Sequence, residues 1–579
     1  MLLVAWAGLI TGSCTRAPAR AADTGAAAVT NEDAVRLVRE VAREYAAAYS
    51  SDDRLPDNSL EALSTRHARE DAWLRALADV DVGGLWGTPE WTLAGLVKST
   101  LESSVALRVC RVELWPAHQH GWQTSLLTSL DSQPLGTPAA RSEALTRWEA
   151  LPRYLATEVE NLREGLRLGY TVPRRNAELA VVQLDALLAN PSSSPLGAPL
   201  RRDSDQEFQT RWRALLDGAL VPAIKRYRDF LRDDYAPRAR TSLGLQGLPN
   251  GEACYHAQLL NFTTTSIDPR ELYRRGEALV AQREAKGIEL ARRLYGSEIQ
   301  DLRAIKAAMD VDPRNRFASA DEALAFVTAA MERASLTAPR WFQRVPRSPL
   351  VLAPFDDFEA TSHPAARYEP ADRDGSRPAR YRIDVTNFAA LTRAYVEHTT
   401  FHEGIPGHHL QVGIDIERGE LGVPADPTSF IEGWARYAES LADEMGLYSS
   451  ELERLGATLH LPTGVVVDPG IHALGWTREQ AVAWVKQKQV AFSDDEAASY
   501  VDRVAIWPGQ MVSYGVGELE IASLRREAEA RLGAGFDARA FHTELLRHGA
   551  ITLPMARDAI TRWIASRAAV AARSRAPQE

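Results

Sequence analysis

Apolar residues returning at three- and four-residue spacing, segment after segment, constrain this chain more than any other feature of its sequence. That period belongs to helices buried along one face. Asn31 to Tyr49 opens with Asn-Glu-Asp, which supplies a cap and acids for a first turn, and then runs in this period. Glu143 to Leu168, Asp205 to Arg232, Asp268 to Tyr295, Ala320 to Ser335, Arg478 to Gln489 and Pro508 to Leu532 read the same way. Alternation with a period of two is confined to Arg347 to Ala353 and Ala379 to Val385, on either side of a connection rich in Pro, Asp and Gly from Pro354 to Pro378. The expectation is a mainly α protein with a small β-sheet. A soft boundary near Pro346 separates a helical N-terminal part from a C-terminal part that holds most of the chemical motifs, and the two can share one core.

Composition removes whole classes of function. With 45% hydrophobic and 25% charged residues over 579 positions, the chain is neither fibrous, disordered nor a multi-span membrane protein. A net charge of -10 without a basic stripe gives no electrostatic reason to expect a nucleic-acid partner. Met1 to Cys14 is apolar, short for a bilayer span, and ends in Thr-Gly-Ser-Cys14. It reads as an export signal resembling a lipoprotein processing site with Cys14 as the lipidated residue, although no Lys or Arg precedes the apolar run and Thr11 sits where Leu or Val is usual. Residues Thr15 to Val29 then form a tether. The expected location is the bacterial cell envelope or periplasm, with membrane contact only through a lipid on Cys14. Of the remaining cysteines, Cys110 and Cys254 either pair or stay as two buried thiols, and the sequence leaves both open.

The chemistry concentrates in Tyr395-Val-Glu-His-Thr-Thr-Phe-His402-Glu403-Gly-Ile-Pro-Gly-His408-His409-Leu-Gln411. Zinc takes neutral imidazole nitrogens plus a carboxylate, and hydrolysis needs a second carboxylate to accept the proton of a water molecule. His402-Glu403 supplies an imidazole and that base. In His-Glu-x-x-His the histidines lie one turn apart on one helix face, but position 406 is Pro, so this pattern is not met. On an unbroken helix, at about 100° per residue, His408 would fall nearly opposite His402, and His409 would return to its face roughly 10.5 Å away. Pro406-Gly407 breaks such a helix, and a wound-out turn there can bring His408 back. His408 is therefore the favoured second ligand, with His409 as its alternative. Four such residues around a Pro-Gly that damages a helix are hard to read as packing alone.

A third ligand must come from another element. Glu432, in Phe430-Ile-Glu432-Gly-Trp434-Ala-Arg-Tyr437-Ala-Glu439, is the candidate, although Ser429-x-x-Glu432 is also a capping-box pattern. Spacing alone does not separate the two readings. Glu439, two turns along the same face, is the fallback.

Beyond this segment the chain resembles the bacterial domain-of-unknown-function family numbered 885. The likeness runs from about Asn31 to Trp563 through Gly247-Leu-Pro-Asn-Gly251-Glu-Ala-Cys-Tyr255, Asp374-Gly-Ser-Arg377-Pro, His402 to Gln411, Glu432-Gly-Trp-Ala, Asp468-Pro-Gly-Ile-His472-Ala-Leu-Gly-Trp476-Thr, Trp507-Pro-Gly-Gln510-x-x-x-Tyr514 and Phe541-His542. The resemblance implies one catalytic domain over residues 30–579 with a large, helical, cleft-shaped zincin-like (gluzincin-type) metallopeptidase fold, one Zn2+ held by His402, His408 and Glu432, and Glu403 as base. The chain departs from the family pattern at Tyr500, Val504 and Gly515, which bears on specificity and even on activity.

The expected activity is zinc-dependent hydrolysis of a peptide or small amide, with zinc activating water and Glu403 relaying its proton. Tyr514, His472 and His542 are candidate donors to developing negative charge; each alone reads more readily as a buried structural residue, and the family match shifts the balance toward function. Arg503 is a candidate for holding a substrate carboxylate, as in a carboxypeptidase or dipeptidase, or else an ion-pair partner of Asp502. Asp468 and Gln411 are candidates for orienting the ligand imidazoles. A cell-envelope amidase or esterase and a non-catalytic peptide-binding lipoprotein are the competing readings; retention of Glu403 argues against the latter.

Overall fold

Acids and hydroxyls at helix starts set the frame: Asp268 caps the helix Pro269–Tyr295, Ser319 caps Ala320–Thr337 and Thr392 caps Arg393–Glu403, each accepting a hydrogen bond from a backbone N–H in the first turn. The computed structural model describes residues 31–49, 55–127, 129–130, 133–355, 366–373, 375–419 and 425–575. Cys14, the leader and the tether lie outside these residues, as does part of the 354–378 connection.

The chain is mainly helical with one small sheet, as the periodicity implies. The first helix spans Asn31–Tyr49. Glu143 to Leu168, expected as one helix, is two, Pro138–Glu149 and Leu151–Leu168. Pro152 lacks the N–H needed to continue the earlier ladder and its ring crowds the preceding turn, so the chain restarts at Leu151. The helix expected over Asp205 to Arg232 instead continues to Arg238 through two wide turns, Leu216–Leu220 and Leu231–Tyr235. Each wide turn precedes a proline, Pro222 or Pro237, whose missing donor it accommodates.

The sheet has three strands, β1 Leu350–Pro354, β2 Ala366–Glu369 and β3 Ala379–Ile383, in the order β1-β3-β2. β1 pairs parallel to β3 from Leu350↔Ala379, and β2 pairs antiparallel to β3 from Ala366↔Ile383. β2 falls inside the segment read from sequence as irregular; four residues flanked by Pro and Asp carry too little alternation to show. Tyr381 and Ile383 turn into a small core with Phe317, Val327 and Val396.

The helices that frame the site are α1 Arg393–Glu403, α2 His408–Arg418, α3 Thr428–Glu444, α4 Asp494–Val504 and α5 Gln510–Leu532. The largest core runs continuously from residues such as Val38, Trp148 and Leu259 to Trp434, Leu524 and Ile560, so the boundary near Pro346 does not divide the core. Cys110 and Cys254 form a disulfide with Cα atoms 4.7 Å apart. Among the described residues no helix is long and apolar enough to cross a membrane.

Candidate metal centre

Helix α1 stops at Glu403 because Gly404-Ile-Pro-Gly407 cannot continue it, and α2 begins at His408. The Ile405–Pro406 peptide is cis. The turn is pinned from below by Trp434, fully buried on α3, whose indole N–H lies 2.9 Å from the Pro406 carbonyl and 3.3 Å from that of Gly407. Gly407 is required here, since a Cβ at that position would stand 1.9 Å from the His402 carbonyl oxygen. The break is thus complete rather than a bulge, and it swings His408 beside His402, with ring centroids 4.8 Å apart and planes near perpendicular.

Both imidazoles face Glu432. His402 Nε2 and His408 Nε2 lie 3.6 and 3.4 Å from Glu432 Oε2. These separations are long for hydrogen bonds, and among the described residues Oε2 is a buried acceptor without one. They are, however, the spacing of neighbouring ligand atoms around a tetrahedral zinc, roughly 3.3 Å for bonds of about 2.0–2.1 Å. One nitrogen or oxygen from each of the three residues falls within 4.8 Å of the others, so the donor set fits one ion. Glu432 does not serve a capping box: Ser429 lies inside α3, and its hydroxyl donates to the Phe262 carbonyl at 2.8 Å.

Electrostatics favour a cation here. Burial by itself pushes the Glu432 carboxyl up, but the two facing imidazoles outweigh it and hold the group far below the usual carboxylate range. Burial pushes His402 down, yet contacts with Glu432 and Glu439 and the charge of Glu403 lift it to about 10. Glu439 lies 2.9 Å from His402 Nδ1 and accepts its proton, which leaves Nε2 to the site. Glu439, the fallback candidate, thus backs His402 rather than joining the convergence of His402, His408 and Glu432. Arg436 donates to both Glu439 oxygens at 3.0 and 2.9 Å and also contacts His460. A second convergent group, His398, Glu439 and His460, thus already contains a guanidinium, which opposes a cation there.

His409 points elsewhere, its Nδ1 3.4 Å from the Tyr368 hydroxyl on the edge strand β2, and burial pushes its imidazole down to about 4. Glu403 is half-buried next to His402 and, among the described residues, has no hydrogen-bond or ion-pair partner. Tyr514 on α5 is brought to Glu432: burial and then that carboxylate push its phenol well above its ordinary value. What aligns them is a backbone contact between α3 and α5, where a Cβ on Gly433 would stand 2.4 Å from Gly517 Cα.

Two of the sequence candidates are spoken for elsewhere. His472 accepts from the Leu245 N–H at 3.2 Å and donates to the Val504 carbonyl at 3.0 Å. His542 donates to the Trp341 carbonyl at 3.3 Å and accepts from the Tyr437 hydroxyl at 2.9 Å. Each has both ring nitrogens engaged in a buried position and no N–H left for a substrate. Asp468 accepts from Tyr255 at 2.7 Å and from the Gly509 N–H, and among the described residues Gln411 Oε1 is buried without a partner, so neither orients the imidazole of His402 or His408. Asp502 pairs with Arg478 at 2.7 and 2.8 Å, which leaves Arg503 unpaired with it. The sequence reading missed the imidazole-orienting role of Glu439 and the parts of Arg436 and His460; the seven-residue interval from Glu432 to Glu439, two turns on one face, is the signal that pointed there.

The family model described as a bacterial protein of unknown function (DUF885) matches residues 41–560, and the chain belongs to that family. A structure described as a candidate lipoprotein from Colwellia psychrerythraea superposes with a TM-score of 0.83 at 21% identity, covering 93% of this chain and 100% of that one. A candidate lipoprotein of unknown function from Shewanella oneidensis gives 0.71 at 18% identity, over 92% of this chain and 98% of that one. At these identities the likeness shows a shared fold. No curated protein matches the chain.

Proposed function

We propose that this protein is a zinc-dependent hydrolase of peptide bonds with a zincin-like (gluzincin-type) helical architecture. The observation that carries the reading is the convergence of His402 Nε2 and His408 Nε2 on Glu432 Oε2, beside a Glu403 carboxylate that, among the described residues, accepts no hydrogen bond. A zinc ion held by His402, His408 and Glu432 would supply Lewis acidity and a water of lowered pKa. Glu403 accepts a proton at its carboxylate and passes it to the leaving amine. Glu439 keeps the His402 proton on Nδ1 throughout. Tyr514 retains its O–H at neutral pH and donates to the negative charge that develops on the scissile carbonyl oxygen.

The lipoprotein designation of the two fold neighbours accords with lipidation at Cys14 and a place in the cell envelope. Metal content and turnover of Glu403→Gln test the activity. The variant is expected to retain one zinc per chain and lose turnover of a peptide panel by about 10²–10⁴-fold. Failure of the wild-type protein to bind zinc, or undiminished turnover by the variant, overturns the reading. Ester and small-amide panels run alongside separate a peptidase from an esterase or amidase.

A further inference from the structure

One charged group near this centre has no role in the chemistry just described. Arg503, in the last turn of α4, is half-buried, and its Nε is buried without an acceptor. Nη2 donates to Gln510 Oε1 at 2.9 Å, and the guanidinium lies 5.5 Å from the ring centre of Trp507. Among the described residues no carboxylate pairs with it. The adjacent Asp502 is taken by Arg478, and Arg175 approaches it at 3.8 Å. A buried donor and a positive charge without an anion are costly to keep, and a ligand that completes them removes the cost.

The position of Arg503 relative to the metal-binding residues follows from the helices. Gln510 and Tyr514 sit one turn apart on one face of α5, and Gly517, where α5 meets α3 beside Glu432, is roughly 10.5 Å along the helix from Gln510. Tyr514 stands between the two ends. The N-terminal half of the chain holds the residues around Arg503. Gln119 and Asn176 donate to the Asp502 carbonyl at 3.1 and 2.8 Å, and His120 stacks on Trp507 with centroids 4.6 Å apart. The helix end that carries Arg503 is thus held by both halves of the protein, while the guanidinium itself, bonded to Gln510 and near Trp507, has its fork incompletely used. A rigid, unpaired guanidinium matches a planar carboxylate in two-point contact.

Resting on the peptidase reading, we propose that Arg503 anchors the C-terminal carboxylate of the substrate, with Gln510 and Tyr514 lining the wall between it and the metal-binding residues. The roughly 10.5 Å along α5 from Gln510 to Gly517 equals about three extended residues at roughly 3.5 Å each, so a short C-terminal segment beyond the scissile bond fits between the two ends. The enzyme then trims peptides from the C-terminus as a carboxypeptidase and leaves internal bonds intact.

Matched N-acetylated peptides ending in a free acid or an amide test this on the zinc-loaded full chain. Wild-type protein is expected to release residues from the acid, with kcat/KM for the amide lower by about 100-fold. Arg503→Gln should lower the acid to the level of the amide, mainly through KM, and Arg503→Lys should recover part of it. Binding gives a second readout: titration of zinc-stripped protein with an N-acetyl dipeptide and its amide, followed by tryptophan fluorescence, should show a preference for the acid in wild type that Arg503→Gln lacks. Equal cleavage or equal binding of acid and amide, or cleavage at internal bonds, overturns the proposal. If zinc binds and neither peptide is cleaved, the peptidase reading fails, while the acid preference of the zinc-stripped protein still decides whether Arg503 is a carboxylate receptor. An Arg503→Gln protein that fails to fold leaves the acid–amide comparison in wild type decisive.

Discussion

The imidazole of His402 lies between two carboxylates of one helix face, with Nδ1 2.9 Å from Glu439 Oε1 and Nε2 3.6 Å from Glu432 Oε2. Glu439 thereby sets the tautomer and the tilt of the ring whose Nε2 faces Glu432. Replacing it by Gln keeps an acceptor for Arg436 but weakens the hold on Nδ1. Zinc affinity, measured by competition with a chromophoric chelator, is expected to fall by about 10–100-fold with the helical circular dichroism unchanged. An affinity equal to that of wild type would remove Glu439 from this role.

The two consecutive histidines should behave oppositely. His408→Ala deletes one of three converging donors, and its zinc affinity is expected to drop on the order of 1,000-fold or more. His409→Ala, which alters a ring facing Tyr368, should retain stoichiometric metal. Metal analysis after dialysis distinguishes them, and the reverse pattern would reassign the ligand.

Gly433 and Gly517 allow α3 and α5 to touch backbone to backbone. Gly433→Ala places a methyl group where no flexible side chain can yield. The helices must separate, at a cost of about 1–3 kcal/mol, read as a lower denaturation midpoint in urea. Because Glu432 is the preceding residue, zinc affinity should fall with it. A variant with unchanged midpoint and affinity would contradict the close packing.

Glu158 is fully enclosed, and burial pushes its carboxyl up to about 7 despite hydrogen bonds from Tyr227 and Tyr154. A folded pKa above the unfolded value means that the native state holds the proton more tightly. The contribution is fully present below about pH 4.5 and is lost as pH rises through 7. Glu158→Gln cannot ionise. Its stability relative to wild type should therefore improve on going from pH 5 to pH 8, by on the order of 2–3 kcal/mol. Paired denaturation curves at the two pH values check this, and a constant difference would show that Glu158 does not titrate in that window.

The disulfide joins residues 144 positions apart and so restricts a long stretch of the unfolded chain. Reduction, or Cys110→Ser with Cys254→Ser, is expected to cost about 2–5 kcal/mol. Denaturation with and without reductant reads the loss, and identical midpoints would show that the pair contributes nothing.

Much of the fold and part of the site could be read from residue order. The helix bounds at Asn31 and Tyr49 follow from local period and caps, as do those near Asp268 and Tyr295, because each depends on neighbours within one turn. β2 could not be read, since its pairing with β3 lies across a sequence gap and its four residues carry little pattern of their own. His402, Glu403 and His408 stood out because Pro406-Gly407 is incompatible with an uninterrupted helix. His472 and His542 illustrate the opposite limit. Whether an imidazole serves a substrate or a backbone carbonyl depends on what packs against it, and in both cases the partners come from distant parts of the chain.

The sequence by itself determined that this chain is helical, that its helix must break between His402 and His408, and that carboxylates lie on one face of a later helix. Those are properties of covalent geometry and short-range sterics. Tertiary structure alone decided that Glu432 faces the two imidazoles while Glu439 backs one of them, that Cys110 meets Cys254, and that Arg503 has no acid beside it among the described residues. These outcomes depend on which helix faces meet, and that is set by the packing of distant segments such as Gly433 against Gly517.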